Sequence, residues 1–129
     1  MLMMIKTHRQ VLALALLTLG PPLCLSAETQ HRAQVLDTAG FTVRIEVQCE
    51  EGEVTCEKVT YRGESKRTNK KLVLSGRTAH RLCEDKLTPC RFLGYVFKAG
   101  KYTYFVSEAG EVLVRDRDKV IIQEAGQWK

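Results

Sequence analysis

Residues 41–56 read FTVRIEVQCEEGEVTC, from Phe41 to Cys56. The first half alternates without a break. Phe41, Val43, Ile45 and Val47 are apolar, and Thr42, Arg44, Glu46 and Gln48 stand between them. A period of two marks a strand with one dry face and one wet face, whereas a helix face repeats about every 3.6 residues. The second half places two cysteines around Gly52, a residue that lets the chain turn back on itself. The same cysteine spacing recurs at CEDKLTPC, from Cys83 to Cys90.

Three roles could explain these cysteines: a metal site, a redox pair or two staples. Zinc sites bring their thiolates closer in sequence, with about two to four residues between them. Here six residues intervene in both pairs. A redox site would separate its cysteines by two residues, and no such motif occurs. The four are therefore expected as disulfides. Four cysteines allow three pairings. A crossed pairing such as Cys49 with Cys90 would gain only about 1 kcal/mol more than the roughly 2.5 kcal/mol of each eight-residue ring. Gly52 in one segment and Pro89 in the other favour closed local loops, so Cys49–Cys56 and Cys83–Cys90 are expected.

Working outward, the segment VTYRG ends one strand and ESKRTNKK is a charged loop. Val54 and Cys56 differ in parity from Val59 and Tyr61, which suggests a bulge near Glu57–Lys58. LVLSGRTAHRLC puts Leu72, Leu74, Gly76, Thr78, His80 and Leu82 on one face, with Arg77 and Arg81 on the other. RFLGYVFK and KYTYFVSE flank Ala99-Gly100, a hairpin signal. Gly110 and Asp116–Asp118 mark two more turns, into VLVRD and KVIIQE. The expected fold is all-β: seven or so antiparallel strands in a small meander, closed as a flattened barrel or sandwich and stapled by disulfides. Phe41, Val43, Ile45, Val47, Leu72, Leu74, Tyr104 and Val112 are the expected core.

Upstream, residues 1–27 follow a three-part pattern. Lys6, His8 and Arg9 precede the apolar run Val11–Leu19, and Pro21, Pro22, Cys24, Ser26 and Ala27 close it. This is the pattern of a secretory signal peptide, and the run is far shorter than the roughly 20 residues of a membrane span. A periplasmic or secreted chain is expected, with a polar tether at 28–40 that holds a short strand near Gln34–Leu36. A single β domain follows at 41–129. The mature chain has no second apolar span, hence no transmembrane segment. Its formal charge falls from +5 to +3 because Lys6 and Arg9 leave.

That average conceals a polarity. Glu46, Glu50, Glu51, Glu53 and Glu57 form an acidic run. Lys66, Arg67, Lys70, Lys71, Arg77 and Arg81 form a basic strip opposed only by Glu64. Such a strip steers an acidic partner, or it pairs across the sheet with the acidic strand. These six residues are the candidate partner-binding set.

Catalytic chemistry has little footing. His80 lies near Ser75 and Asp85 in sequence, but no nucleophile-elbow motif accompanies them. Glu50 and Glu51 could serve acid–base work, though a turn beside a disulfide leaves them in solvent. No phosphate-cradling glycine loop or zinc motif is present. Tyr61, Tyr95, Tyr102 and Tyr104 could stack bases, yet they fall at core-like positions. The expectation is a non-enzymatic protein with no catalytic residues, metal, cofactor or nucleic-acid partner.

From Cys49 to Trp128 the chain resembles small exported proteins of Gram-negative bacteria to which no activity is attached. The residues that carry this are CEEGEVTCEKVTYRG, TPCRFLGYVFKAG and EAGQW. A looser pattern is VTYRG, a strand ending LSG, then an aromatic hairpin. It is similar to the bacterial inhibitors of C-type lysozyme, small exported β-barrels with a disulfide. That resemblance implies a loop that blocks an enzyme cleft. The functional expectation is therefore an exported binding protein, an inhibitor or immunity protein of a cell-wall-active enzyme. The alternative is an envelope accessory factor docking on a protein or an anionic surface polymer through the basic strip.

Overall fold

The computed structural model describes residues 17–20 and 32–129. Most of the expected signal peptide, and the start of the expected tether, lie outside the described residues. Residues 17–20 carry no helix or strand. Eight strands follow: β1 (Arg32–Thr38), β2 (Phe41–Val47), β3 (Val59–Ser65), β4 (Lys71–Leu82), β5 (Pro89–Ala99), β6 (Tyr102–Ser107), β7 (Glu111–Asp116) and β8 (Lys119–Trp128). Each pairs antiparallel with its sequence neighbour, and β8 returns to β1, so the sheet closes as a barrel. Closure leaves no continuous sheet edge. Within 28–40, the expected short strand at 34–36 is the longer β1, the first stave of the barrel.

The register explains the core. Ile45 stands opposite Tyr61 and Val43 opposite Gly63 across β2–β3. Leu36, Val43, Ile45, Val59, Tyr61, Phe97, Val106, Val112 and Val114 are buried inside. Of the expected core, Phe41, Val47, Leu74 and Tyr104 pack partly buried against this cluster. Leu72 is a correction. It shares the inward parity but stands one residue from the start of β4, at the barrel rim, and is 37% exposed. No bulge at Glu57–Lys58 is needed either. The chain from Gln48 to Lys58 is loop, and the inward parity begins at Val59.

A bulge does occur in β5. Ala79 faces Gly94 and His80 faces Phe92, so Leu93 is the extra residue. Gly94 accommodates it at φ 147°, a conformation closed to most side chains. The shift turns both Phe92 and Tyr95 inward, with ring centroids 5.2 Å apart. A second register shift, between Arg81 and Leu82, leaves Cys90 unpaired in β5. A third lies opposite Val114–Arg115 and leaves Ile121 unpaired in β8.

The meander divides the connections between two ends. The upper end carries the turns at 39–40, 66–70, 100–101 and 117–118. The lower end carries the loops at 48–58, 83–88 and 108–110. Both disulfides form locally, Cys49–Cys56 and Cys83–Cys90, and both lie at the lower end. Among the described residues no helix is long and apolar enough to cross a membrane.

Candidate functional site

The six basic residues of the candidate set do not form one patch. Lys66, Arg67 and Lys70 lie on the β3–β4 loop and Lys71 opens β4, all at the upper end. Arg77 and Arg81 stand exposed on the outer wall of β4, where Arg81 pairs with Arg91 across the ladder. Lys66 is occupied structurally. Its ammonium donates to the Thr38 carbonyl and pairs with Asp37, while its backbone N–H donates to the Gly40 carbonyl at 2.9 Å. Lys66 therefore clamps the loop to the β1–β2 turn. The Lys66 ammonium, opposed by desolvation and aided by Lys129, holds the Asp37 carboxyl below its ordinary range. Arg67, Lys70 and Lys71 make no ion pair among the described residues.

These cations crown an opening in the barrel. Phe41, Tyr61, Leu72, Tyr104, Val114 and Ile122 line a cavity of about 220 Å³, with Lys70 and Lys71 at its edge. The Tyr61 phenol lies over Gly63, where an added Cβ would meet its hydroxyl at 2.6 Å. Burial, with the neighbouring Tyr104 phenol adding to it, pushes Tyr61 up to about 12. The group is thus a protonated hydrogen-bond donor throughout the physiological range.

The lower end is built differently. Asp85 organises the Cys83–Cys90 loop. Its carboxylate accepts from the backbone N–H groups of Leu87 and Thr88, both at 2.9 Å, and from the Thr88 hydroxyl. The Thr88 hydroxyl, then the two backbone donors, hold this carboxyl below its ordinary range. Lys86 sits at φ 59°, and the Cys83 N–H donates to the Thr88 carbonyl at 2.8 Å. The result is a rigid tip that presents Leu87 with 84% of its surface exposed. On the second stapled loop Val54 is also exposed.

Beside these loops is a cavity of about 310 Å³, lined by Gln34, the Cys49–Cys56 bridge, Thr78, His80, Phe92 and Tyr95 among others. His80 Nε2 lies 3.1 Å from the Thr78 hydroxyl. That hydroxyl accepts from the Cys56 N–H at 2.9 Å and faces the Cys56 carbonyl at 3.4 Å. His80 thus ties the first disulfide to β4. Ser75 is exposed on the outer face, and Asp85 is engaged in its own loop, so no triad is brought together with His80. Glu50 and Glu51 are exposed on the stapled turn. Among the described residues no group of three His, Cys, Asp or Glu side chains is placed to hold a metal ion.

The fold and its two ends define a class: a small eight-stranded antiparallel barrel with paired disulfide-stapled loops at one mouth and a basic rim at the other. Comparison with protein-family models, with curated proteins and with solved structures finds no match to the chain. Periodicity could not have found the Leu87 tip, because it is a loop. The signal was present in the sequence as a lone apolar residue inside a cysteine ring otherwise polar apart from Pro89.

Proposed function

We propose that this chain is an exported, non-enzymatic binding protein of the periplasm or extracellular space. It acts on a protein partner through its stapled end, as an inhibitor or immunity protein of a cell-wall-active enzyme. The observation that carries this reading is Leu87, an exposed apolar side chain on a loop fixed by a disulfide and by the Asp85 carboxylate. Exposing a leucine wins nothing for the free fold. Fixing the loop that bears it lowers the ordering cost of docking into a cleft. Each staple closes a ring of only eight residues, so its effect is concentrated in the loop. The left-handed backbone at Lys86, uncommon for a lysine, is local strain of the kind that gathers at binding loops. His80 Nε2 is engaged by a hydroxyl already tied to the Cys56 backbone, while its buried Nδ1 has no hydrogen-bond partner among the described residues.

The test is capture from a periplasmic extract with wild-type protein and with Leu87→Asp, followed by assay of the captured enzyme. One stoichiometric enzyme, slowed by the wild type and released by the variant, is expected. Equal capture by both proteins, or no effect on the captured activity, overturns the reading.

A second reading has its own observation. Arg67, Lys70, Lys71, Arg77 and Arg81 have no ion-pair partners among the described residues. They suit an envelope accessory factor that holds an anionic surface polymer. Binding to such a polymer would fade as salt is raised, and Leu87→Asp would leave it unchanged.

A further inference from the structure

An eight-stranded barrel is just wide enough either to be filled by its own side chains or to hold one small ligand. Here the lower mouth opens into the cavity beside the stapled loops, and the middle third is filled: Phe97 packs on Tyr61 with ring centroids 5.3 Å apart, and Val59 and Val106 are fully buried. The upper third is not. Its inward positions are Phe41, Gly63, Tyr104, Val114 and Ile122, with the Tyr61 phenol lying over Gly63. The space left, about 220 Å³, exceeds the roughly 150 Å³ that admits a benzene molecule into a protein interior. It is smaller than the sites of drug-sized ligands, which begin near 300 Å³. The opening therefore selects a body of one ring, or a short branched chain.

The rim selects the head group. Lys70 and Lys71 border the opening without an ion-pair partner among the described residues. Ser65 and Thr68 line the same edge. Each of their hydroxyl oxygens accepts from the loop backbone, at 3.4 Å from the Thr68 and Lys70 N–H groups respectively. This leaves the hydroxyl hydrogens available as donors. Two lysines and two hydroxyl side chains border an apolar hole; Glu64 stands opposite Lys71 across the β3–β4 ladder, and no carboxylate lines the hole itself. Charge-assisted donors of this kind complement an anion that can accept several hydrogen bonds at once.

We propose that the upper mouth binds a small amphipathic carboxylate, with its apolar body between Tyr61, Tyr104 and Ile122 and its carboxylate held by Lys70, Lys71 and the Ser65 and Thr68 hydroxyls. The site lies at the opposite end from the stapled loops and does not depend on their having a protein partner. The Tyr61 phenol adds a donor at the floor of the mouth that an ether or carbonyl on the ligand body could engage.

The experiment is titration of the isotope-labelled domain with 3-phenylpropionate, followed by NMR. The neutral 3-phenylpropanamide is run in parallel. Saturable shifts confined to Gly63, Tyr61, Tyr104 and Ile122 are expected, with Thr78 and Leu87 at the lower end unmoved. The amide should bind at least about tenfold more weakly, as should the acid to the Lys70→Gln/Lys71→Gln double variant, because a hydrogen bond to a charged group is at stake. Leu72→Trp, a change at a rim position already partly exposed, should plug the opening and abolish the shifts while the rest of the spectrum stays folded. Three results overturn the proposal: no saturable shift with either probe, equal affinity for acid and amide, or acid binding that survives Leu72→Trp.

Discussion

Gly76 is one of the tightest points of the barrel, and replacing it with alanine tests the packing directly. Gly76 faces Phe97 across the β4–β5 ladder. A Cβ there would lie 2.1 Å from the Val96 carbonyl oxygen and 2.3 Å from Phe97 Cδ1, where ordinary contact begins at 3.4 Å. The backbone contact is thus about 1.3 Å too short. A ring can rotate away, but this one is 1% exposed and wedged on Tyr61. A carbonyl in a ladder can retreat only by loosening the sheet. Overpacking of this kind costs about 1–3 kcal/mol, and disturbing a ladder hydrogen bond adds about 1 kcal/mol. The smaller unfolded-state entropy of alanine returns about 0.4–1 kcal/mol. The net expectation for Gly76→Ala is a loss of about 2 kcal/mol. In a domain of roughly 100 residues that is a large share of the total stability and lowers Tm by roughly 8–16 °C.

Urea unfolding followed by circular dichroism gives the number, and a cycle with Phe97→Leu apportions it. The shorter side chain relieves the ring contact and leaves the carbonyl contact in place, so the double variant should recover only part of the loss. A Gly76→Ala protein that melts within about 2 °C of the parent would refute the close approach. Complete rescue by Phe97→Leu would show that the ring alone is the obstacle.

Three further outcomes follow from the same structure. Ile45 is fully buried, so Ile45→Ala removes three carbons worth about 0.8 kcal/mol each and leaves a cavity, a total of about 2–5 kcal/mol by chemical denaturation. Asp37 has a depressed carboxyl because of Lys66. Its contribution is complete above the ordinary carboxylate range and is lost as pH falls below it through the folded-state value; Asp37→Asn should flatten that part of the Tm–pH curve. Glu124 accepts from the Gly40 N–H at 2.8 Å and so ties β8 to the β1–β2 turn. Glu124→Ala should cost about 1–3 kcal/mol, with faster amide exchange at Gly40 and Phe41 and little change at Val106.

The fold was legible wherever one residue type reported one face. Phe41 to Val47 alternate, and their parity is the parity of the barrel. Gly100 and Asp116–Asp118 sit at the turns their chemistry suggests. β1 was legible only in part because its inward positions include Arg32 and Gln34. These point toward the wet lower mouth, so the strand carries no apolar stripe. Its pairing with β8 spans only Leu36 to Thr38, too short a seam to leave a pattern. Leu72 shows the complementary limit: parity tells which face a residue occupies but not its height along the barrel axis. The β5 bulge was hidden for a different reason. Nothing in RFLGYVFK marks Gly94 off from an ordinary strand glycine, and only the register reveals that it turns Phe92 and Tyr95 to the same side.

The basic strip shows why charge clusters mislead when read along the chain. Six cations close in sequence divide into a structural clamp, a rim and an outer wall. β4 carries Arg77 and Arg81 along the outer wall away from Lys71 at the rim, and Lys66 on the β3–β4 loop finds Asp37 on β1. Reversing the charge of the whole loop would break the Lys66 clamp as well as any binding surface. Its effect on a partner could not be separated from its effect on the β1–β2 turn. Substitution at Arg67, Lys70 and Lys71 alone keeps the clamp intact. The two mouths then become separately testable, because the disulfides confine the stapled loops to one end and the β3–β4 loop confines the rim cations to the other. A protein partner lost with Leu87→Asp and an anion lost with Lys70→Gln/Lys71→Gln would be independent properties of one small barrel, and additivity of the two variants is the physical signature that they are.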